Sequence, residues 1–166
     1  AALIRNKLSR LEYITRPGNA VELYLENPNL YEDIREKEIS DLGKIVNKFI
    51  PVTVKLNRIE CFDVAHIQGS DTAASMVTFL NGVPEKNYYR HFKIRQVHGQ
   101  DDYESMRELA KRRKKNLTPW GRPDLIIVDG GKGQVSVFLR EFEEEGIPVV
   151  GLAKKYETLV VPVTEF

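Results

Sequence analysis

The first fifty residues repeat their apolar positions at the spacing of a helix. A stripe with the 3.6-residue period predicts a first helix that ends at Pro17-Gly18. Its members are Leu3, Ile4, Leu8, Leu11 and Ile14. A second amphipathic helix is predicted over residues 31–49, closed by Pro51. No capping residue precedes the first helix, so we expect the chain to be a piece of a longer protein with a helical segment over residues 1–50.

After Pro51 the apolar period changes from helical to alternating. Residues 58–64 and 74–80 predict two strands, Asn81-Gly82 predicts the turn that follows them, and residues 88–97 predict a third strand. Strands joined in order by short connections pair antiparallel, so we expect a three-stranded meander.

Helices and buried strands alternate in the rest of the chain. Four elements are predicted, namely a helix over 101–115, a strand over 125–128, a helix over 133–145 and a strand over 149–153. The two strands are short apolar runs bounded by turn residues, which is typical of strands buried on both faces. Residues 51–166 are therefore predicted to form an α/β domain with one mixed sheet, antiparallel strands first and parallel strands after them, and flanking helices.

Composition allows a packed domain and excludes several classes of protein. The 166 residues are 42% apolar and 30% charged, which is too apolar for a disordered chain. The single cysteine, Cys61, excludes an internal disulfide framework or a Cys-based zinc cluster, and it fits a reducing cytoplasm. No apolar run approaches the roughly 18 residues of a membrane-spanning helix, so we expect no membrane partner.

Charge is balanced overall but unevenly placed. The formal net charge is +1, yet residues 22–41 hold seven acids and two bases, and residues 103–122 hold seven bases and two acids. Such a layout can steer an anionic ligand to one end of the molecule. Two solvated helix faces of opposite sign would give the same pattern.

Two aspartates stand inside or at the end of apolar strands. Asp63 lies in ECFDVAH, and Asp129 ends the run LIIVD. A carboxylate beside a sheet core loses hydration, and a shared divalent cation would offset both that cost and the mutual repulsion. Asp102 is a third candidate ligand, and three carboxylates without cysteine favour Mg²⁺ or Mn²⁺. The competing interpretation is that all three residues are turn formers or helix caps.

Basic residues near these aspartates predict contacts to phosphate. Lys132 lies in GGKG, whose glycines let backbone amides approach a phosphate, although the spacing of a P-loop is absent. The predicted DNA-binding set also contains His66 and the bases of the helix over 101–115, which are Arg107, Lys111, Arg112, Arg113, Lys114 and Lys115. A structural histidine and a solvated helix end are the alternatives. Trp120 either stacks on a base or packs against the protein.

Four segments carry a likeness to a known family. They are RIECFDVAH at 58–66, GQDDYESMR at 99–107, PDLIIVDGGKGQ at 123–134 and VVGLAKK at 149–155. In this order and spacing they resemble the C-terminal endonuclease region of the C subunit of the bacterial UvrABC excinuclease, over residues 58 to 162. The family usually has isoleucine and serine where this chain has Val64 and Ala65.

The resemblance implies an RNase H-like fold that makes the 5′ incision at damaged double-stranded DNA in nucleotide excision repair. It implies that Asp63, Asp102 and Asp129 are the catalytic aspartates. The family also uses a histidine on a helix beyond the GKG motif, and the chain stops at Phe166 before that helix, so this chain is expected to be incomplete as an enzyme. Residues 1–12 weakly resemble the end of the helical segment that binds the B subunit of the excinuclease.

Two other functions stay open at this point. One is an RNase H-like module that binds DNA or a repair partner without cutting. The other is a different RNase H-like repair nuclease, such as an endonuclease V relative, against which the GGKGQ segment counts. Convergence of the carboxylates would favour a nuclease over a binding module.

Overall fold

A computed structural model describes residues 30–50, 55–66, 72–94, 102–153 and 158–161. The chain divides into two compact units, Ala1–Lys37 and Glu38–Phe166. Helix α1 (Leu30–Asn47) was predicted over residues 31–49. Its first residues, up to Lys37, are the described part of the first unit. The helix predicted before Pro17-Gly18 lies outside the described residues. Among the described helices, none has the length and apolarity needed to cross a membrane.

The second unit alternates strands and helices after α1. The strands are β1 (Arg58–His66), β2 (Thr72–Leu80), β3 (Val83–Pro84), β4 (Arg90–Lys93), β5 (Leu125–Asp129), β6 (Val149–Ala153) and β7 (Thr158–Val160). The helices that follow α1 are α2 (Asp102–Lys114), α3 (Leu117–Trp120) and α4 (Lys132–Phe142), and a 3₁₀ turn covers Lys86–Tyr88.

The strands of the described residues form one mixed sheet in the order β3-β2-β1-β5-β6-β7, with β4 also paired to β2. Strand β1 is antiparallel to β2 and parallel to β5, and β5 is parallel to β6. The Asp124 carboxylate accepts the backbone N–H groups of Asn57 and Arg58 at 2.9 and 2.8 Å, which ties the start of β5 to the start of β1. The predicted mixed α/β sheet is confirmed.

The predicted third strand differs most from the structure. It was expected over residues 88–97, but β4 begins at Arg90, and residues 95–97 lie outside the described part. The turn at Asn81 and Gly82 is confirmed, with φ angles of 50° and 78° that suit a tight hairpin. The 3₁₀ turn then interrupts the alternation, because the Glu85 side chain accepts the N–H of Asn87 at 3.2 Å and starts it.

The two faces of the sheet pack against different helices. On one face Phe62 and Val128 are buried in a core with Leu109 of α2 and Phe138 of α4. On the other face Ile59, Leu125 and Val150 are buried with Val46 of α1. Side chains therefore alternate between the two cores along β1 and β5, and this alternation decides where each acidic residue of β1 lies.

Candidate active site

Asp63 and Asp129 are neighbours across the sheet. The parallel register of β1 and β5 pairs Phe62 with Val128, and each aspartate is the next residue on its strand. Adjacent strands lie about 4.8 Å apart, and residues at matched positions share a face. Both aspartates are half-buried. Two carboxylates therefore stand side by side at the carboxyl end of the parallel strands.

Asp102 begins α2 close to the loop that follows Asp129. The next residue, Tyr103, lies over Gly133 in the first turn of α4, so that a Cβ atom on this glycine would be 2.5 Å from the tyrosine hydroxyl oxygen. The helix starts at Asp102, within the range of 101–115 that was predicted for it, and the Asp102 side chain is exposed. The structure thus places the start of α2 beside the β5–α4 loop, although α2 packs on the face opposite to that of Asp63.

The acids fit a divalent cation only in part. In the residues that the structure describes, no group of three or more acidic, histidine or cysteine side chains is arranged to hold a metal ion. Asp102 starts a helix that packs on the other face of the sheet, and its place in a shared set of three ligands stays a prediction. The neighbouring pair Asp63 and Asp129 still offers hard oxygen donors on one face, as Mg²⁺ and Mn²⁺ prefer.

The GGKG loop makes the start of α4. The Gly131 N–H donates to the Gln134 side-chain oxygen at 2.9 Å, and this oxygen lies so close to Gly130 that a Cβ there would overlap it. Lys132 is the first residue of the helix and is exposed. The predicted phosphate contact of Lys132 is compatible with this position.

The bases predicted to bind DNA have different surroundings. Lys111 and Lys115 are exposed, and Arg107 forms an ion pair with Glu104. Lys114 binds Glu144 at 3.1 Å, an interaction that raises the pKa of Lys114. His66 ends β1, but its side chain lies outside the described part.

Arg113 corrects the predicted DNA-binding set. Its side chain is fully buried, and its guanidinium donates to the two Glu60 carboxylate oxygens at 2.6 and 2.9 Å. It also donates to the backbone oxygen of Gly121. A guanidinium enclosed in this way is not available to phosphate, so the prediction for Arg113 is wrong.

Glu60 is the charged residue whose role was missed. It is fully buried, and besides the two hydrogen bonds from Arg113 it accepts a third from Arg58 Nε at 2.9 Å. The signal was present in the spacing, since Arg113 follows Met106 and Leu109 on the buried stripe of α2 and Glu60 shares the face of Phe62. The Glu60–Arg113 pair joins β1 to α2, the two elements that carry Asp63 and Asp102.

Cys61 lies between Glu60 and Asp63 on β1. Burial, and secondly the charge of Glu60, raises the pKa of the Cys61 thiol to about 12. The thiol therefore stays protonated at neutral pH and is a poor nucleophile there.

Trp120 packs against the protein. Its ring centroid lies 6.0 Å from that of Phe92, and the Arg90 guanidinium is 5.2 Å above the ring. These contacts favour the packing interpretation over stacking on a base.

Sequence comparison decides the family. Residues 47–165 match the family model of the UvrC RNase H endonuclease domain, which covers more than half of the chain. The chain belongs to the UvrC RNase H endonuclease domain family. The predicted family and RNase H-like fold are thus confirmed, and the four segments at 58–66, 99–107, 123–134 and 149–155 all lie within the matched range.

Several UvrABC system proteins C are similar to this chain. The protein of Gloeobacter violaceus is 46% identical over 92% of this chain, and that of Chlorobaculum tepidum is 43% identical over 76% of it. The matches cover only 25% and 19% of those proteins. Among solved structures, Ciona intestinalis endonuclease V, in complex with a 24mer DNA containing an inosine followed by a ribo-adenosine, is similar at 17% identity. It has a TM-score of 0.49, with 75% of this chain and 58% of that chain covered.

Proposed function

We propose that this domain is a divalent-metal-dependent endodeoxyribonuclease that makes the 5′ incision at damaged double-stranded DNA in nucleotide excision repair. The observation that carries the proposal is the side-by-side placement of Asp63 and Asp129 on one face, at the carboxyl end of the parallel strands. Family membership supports it, since the matched model is that of an endonuclease domain. The chain spans a fifth to a quarter of the length of these curated relatives.

The residues have separate tasks in this proposal. Asp63 and Asp129 would hold Mg²⁺ or Mn²⁺, with Asp102 completing the site or orienting the attacking water. When bound, such an ion acidifies water at neutral pH and stabilises negative charge on the phosphodiester. Lys132, the exposed Lys111 of α2 and the exposed Lys115 just after this helix would bind the DNA backbone. Contacts to phosphate carry no base sequence information, which suits an enzyme that cuts wherever damage occurs.

We assign lesion choice and complex formation to the longer protein. The B subunit of the excinuclease is the proposed partner, mostly through regions outside residues 1–166. The proposed location is the cytoplasm, supported by the single cysteine of the sequence, which excludes an internal disulfide. The resemblance implies a further histidine beyond the GKG motif, so we expect full activity of a chain that carries it.

The proposal is tested by metal titration of the wild type and of Asp63→Asn, each as a chain extended past Phe166. Mg²⁺ or Mn²⁺ is added to a duplex with one lesion, and nicks are counted on a gel. We expect metal-dependent nicking that Asp63→Asn lowers by at least about 100-fold, because a carboxylate ligand of the ion is lost. Asp41→Asn is the matched control, since Asp41 is an acid of α1 that forms an ion pair with the nearby Lys44.

The same variants separate cutting from binding. Equal nicking by Asp63→Asn and the wild type would remove Asp63 from the active site. Tight DNA binding by an extended wild type that does not nick at any metal concentration would favour the binding module instead.

A further inference from the structure

Cross-strand pairing places a row of residues across the sheet, which runs from Asp129 and Asp63 to the edge strand β4. Asp63 pairs with Ser75 of β2, and Ser75 pairs with His91 of β4. The next row joins Ala65, Ala73 and Lys93 in the same way. Paired residues share a face, so His91 and Lys93 lie on the face of the two carboxylates.

Burial along β4 agrees with this assignment. Phe92 is 3% exposed and belongs to the core on the face of α2, while His91 and Lys93 on either side of it are exposed. Two strand spacings separate β4 from β1, which is about 10 Å. Because the backbone winds around the helix axis, successive phosphates of one DNA strand lie farther apart than the axial rise of about 3.4 Å, so this distance covers about one or two nucleotides.

The surface between the acids and the bases is low and accessible. Its side chains are those of Ala65, Ala73 and Ser75, of which the first is exposed and the others are half-buried. Small side chains let a nucleic-acid backbone come close to the sheet. The row therefore forms a shallow floor with carboxylates on one side and cationic or hydrogen-bonding side chains on the other.

Strand β4 is held in place from the other face. Arg112 of α2 donates to the backbone oxygen of Lys93 at 2.8 Å, and its guanidinium lies 5.1 Å above the ring of Phe92. The backbone below His91 and Lys93 is thus tied to the same helix that begins with Asp102. Side chains on a supported strand keep a defined distance to the carboxylates, which two bases on a loop would not.

We propose that His91 and Lys93 bind phosphates of the DNA strand that crosses this floor, about one or two nucleotides from the phosphate at Asp63 and Asp129. The inference rests on the proposed function, because it takes DNA as the substrate. The negative backbone complements the cationic edge, and the metal-binding side would receive the phosphate to be cut. These contacts position the strand and do not read bases.

The test measures DNA binding in Ca²⁺ by fluorescence anisotropy at several salt concentrations, for the wild-type chain and for His91→Ala/Lys93→Gln. We expect Kd to rise roughly tenfold near 0.1 M salt and the salt slope to fall by about 1, as for the loss of one phosphate contact. Lys86→Gln is the matched control, because Lys86 is exposed on the 3₁₀ turn at the same edge but outside the two rows. Circular dichroism checks that each variant is folded.

A second measurement locates the contact. Single phosphates of the duplex are replaced by methylphosphonate, one position at a time around the incision. We expect the wild type to lose affinity at a position about one or two nucleotides from the scissile phosphate, and the double variant to lose nothing more there.

The outcomes distinguish this inference from the proposed function. If the wild type binds DNA and the double variant matches Lys86→Gln, the edge strand is not a phosphate site while the nuclease proposal stands. If no methylphosphonate position affects the wild type and the double variant differently, the inference is likewise overturned. If the wild type shows no salt-dependent DNA binding, the proposed function fails together with it.

Discussion

Glu60 and Asp63 lie three positions apart on β1 and have opposite surroundings. Glu60 is fully buried on the face of α2, where Arg113 and Arg58 neutralise it. Asp63 is half-buried on the other face and lies beside a second carboxylate, Asp129. A carboxylate enclosed by guanidinium groups is stabilised as an anion, whereas two adjacent carboxylates concentrate negative charge that a cation can relieve.

The comparison teaches that the partners of an acid, and not its place in an apolar strand, indicate its role. Both residues would look alike in a search for charges inside strands. The first connects β1 to α2 and belongs to the fold, and the second is proposed to belong to the chemistry. Three predictions can break or sharpen this contrast.

The largest expected effect is on stability, from Glu60→Gln. This change leaves the Arg113 charge buried without its carboxylate, so the free energy of unfolding should fall by about 3–5 kcal/mol. Asp63→Asn removes repulsion from Asp129 and should leave that free energy unchanged or higher. Urea denaturation of both variants measures the difference.

The double variant Glu60→Met/Arg113→Met is the control for this prediction. Removing both charges should recover much of the loss, because no unpaired ion remains buried. The contrast between the two acids fails if Asp63→Asn destabilises the chain as much as Glu60→Gln does.

The second prediction concerns Cys61, whose thiol pKa is raised from 9.0 to about 12. At pH 8.5 iodoacetamide should alkylate the folded chain several hundred times more slowly than the urea-unfolded chain, because the thiolate fraction is lower by roughly that factor. The raised pKa also means that the thiol lowers the free energy of unfolding as pH rises from 9.0 towards about 12.

Mass spectrometry of the alkylated chain over time provides the measurement. The Cys61→Ser variant corrects for reaction at other side chains. Alkylation of folded and unfolded chains at equal rates would show that this part of β1 is open to solvent on the Cys61 side.

The smallest effect is expected from Gly133→Ala, in the first turn of α4. The added methyl group overlaps the Tyr103 ring, whose Cε1 atom is 2.6 Å from the Cβ position, and Tyr103 follows Asp102. We expect nicking to fall about tenfold while stability changes by about 1 kcal/mol, because the start of α2 moves relative to β5.

Gly133→Ala/Tyr103→Ala tests whether the overlap is the cause. With the ring removed, the two substitutions should cost less than the sum of the single ones. Strict additivity would show that Tyr103 and Gly133 act independently.

Much of the fold follows from local sequence. Strand β6 has the predicted bounds, and α2 differs from its prediction by one residue at each end, since apolar runs and helical stripes are local signals. Strand β7 was not predicted, because three residues carry little periodicity and this strand exists by pairing with β6. The start of β4 was missed because the side chain of Glu85 starts a 3₁₀ turn that a period-two pattern does not reveal.

The site was predictable in part. The order of the elements indicates that β1 and β5 are parallel neighbours, so a meeting of Asp63 and Asp129 could be expected. The position of Asp102 relative to them depends on tertiary packing, here on Tyr103 against Gly133. Arg113 was misjudged because five consecutive bases suggest a solvated surface, although its helical spacing places it on the buried side.

The buried ion pair also orders events during synthesis of the chain. Glu60 leaves the ribosome 53 residues before Arg113. Strands β1 and β2 can form a hairpin meanwhile, but the Glu60 carboxylate must stay in water until its counterion arrives. We expect packing over Glu60 to be delayed until α2 has been made. A nascent chain that ends before α2 would leave this face of the sheet uncovered, and chaperones would bind it.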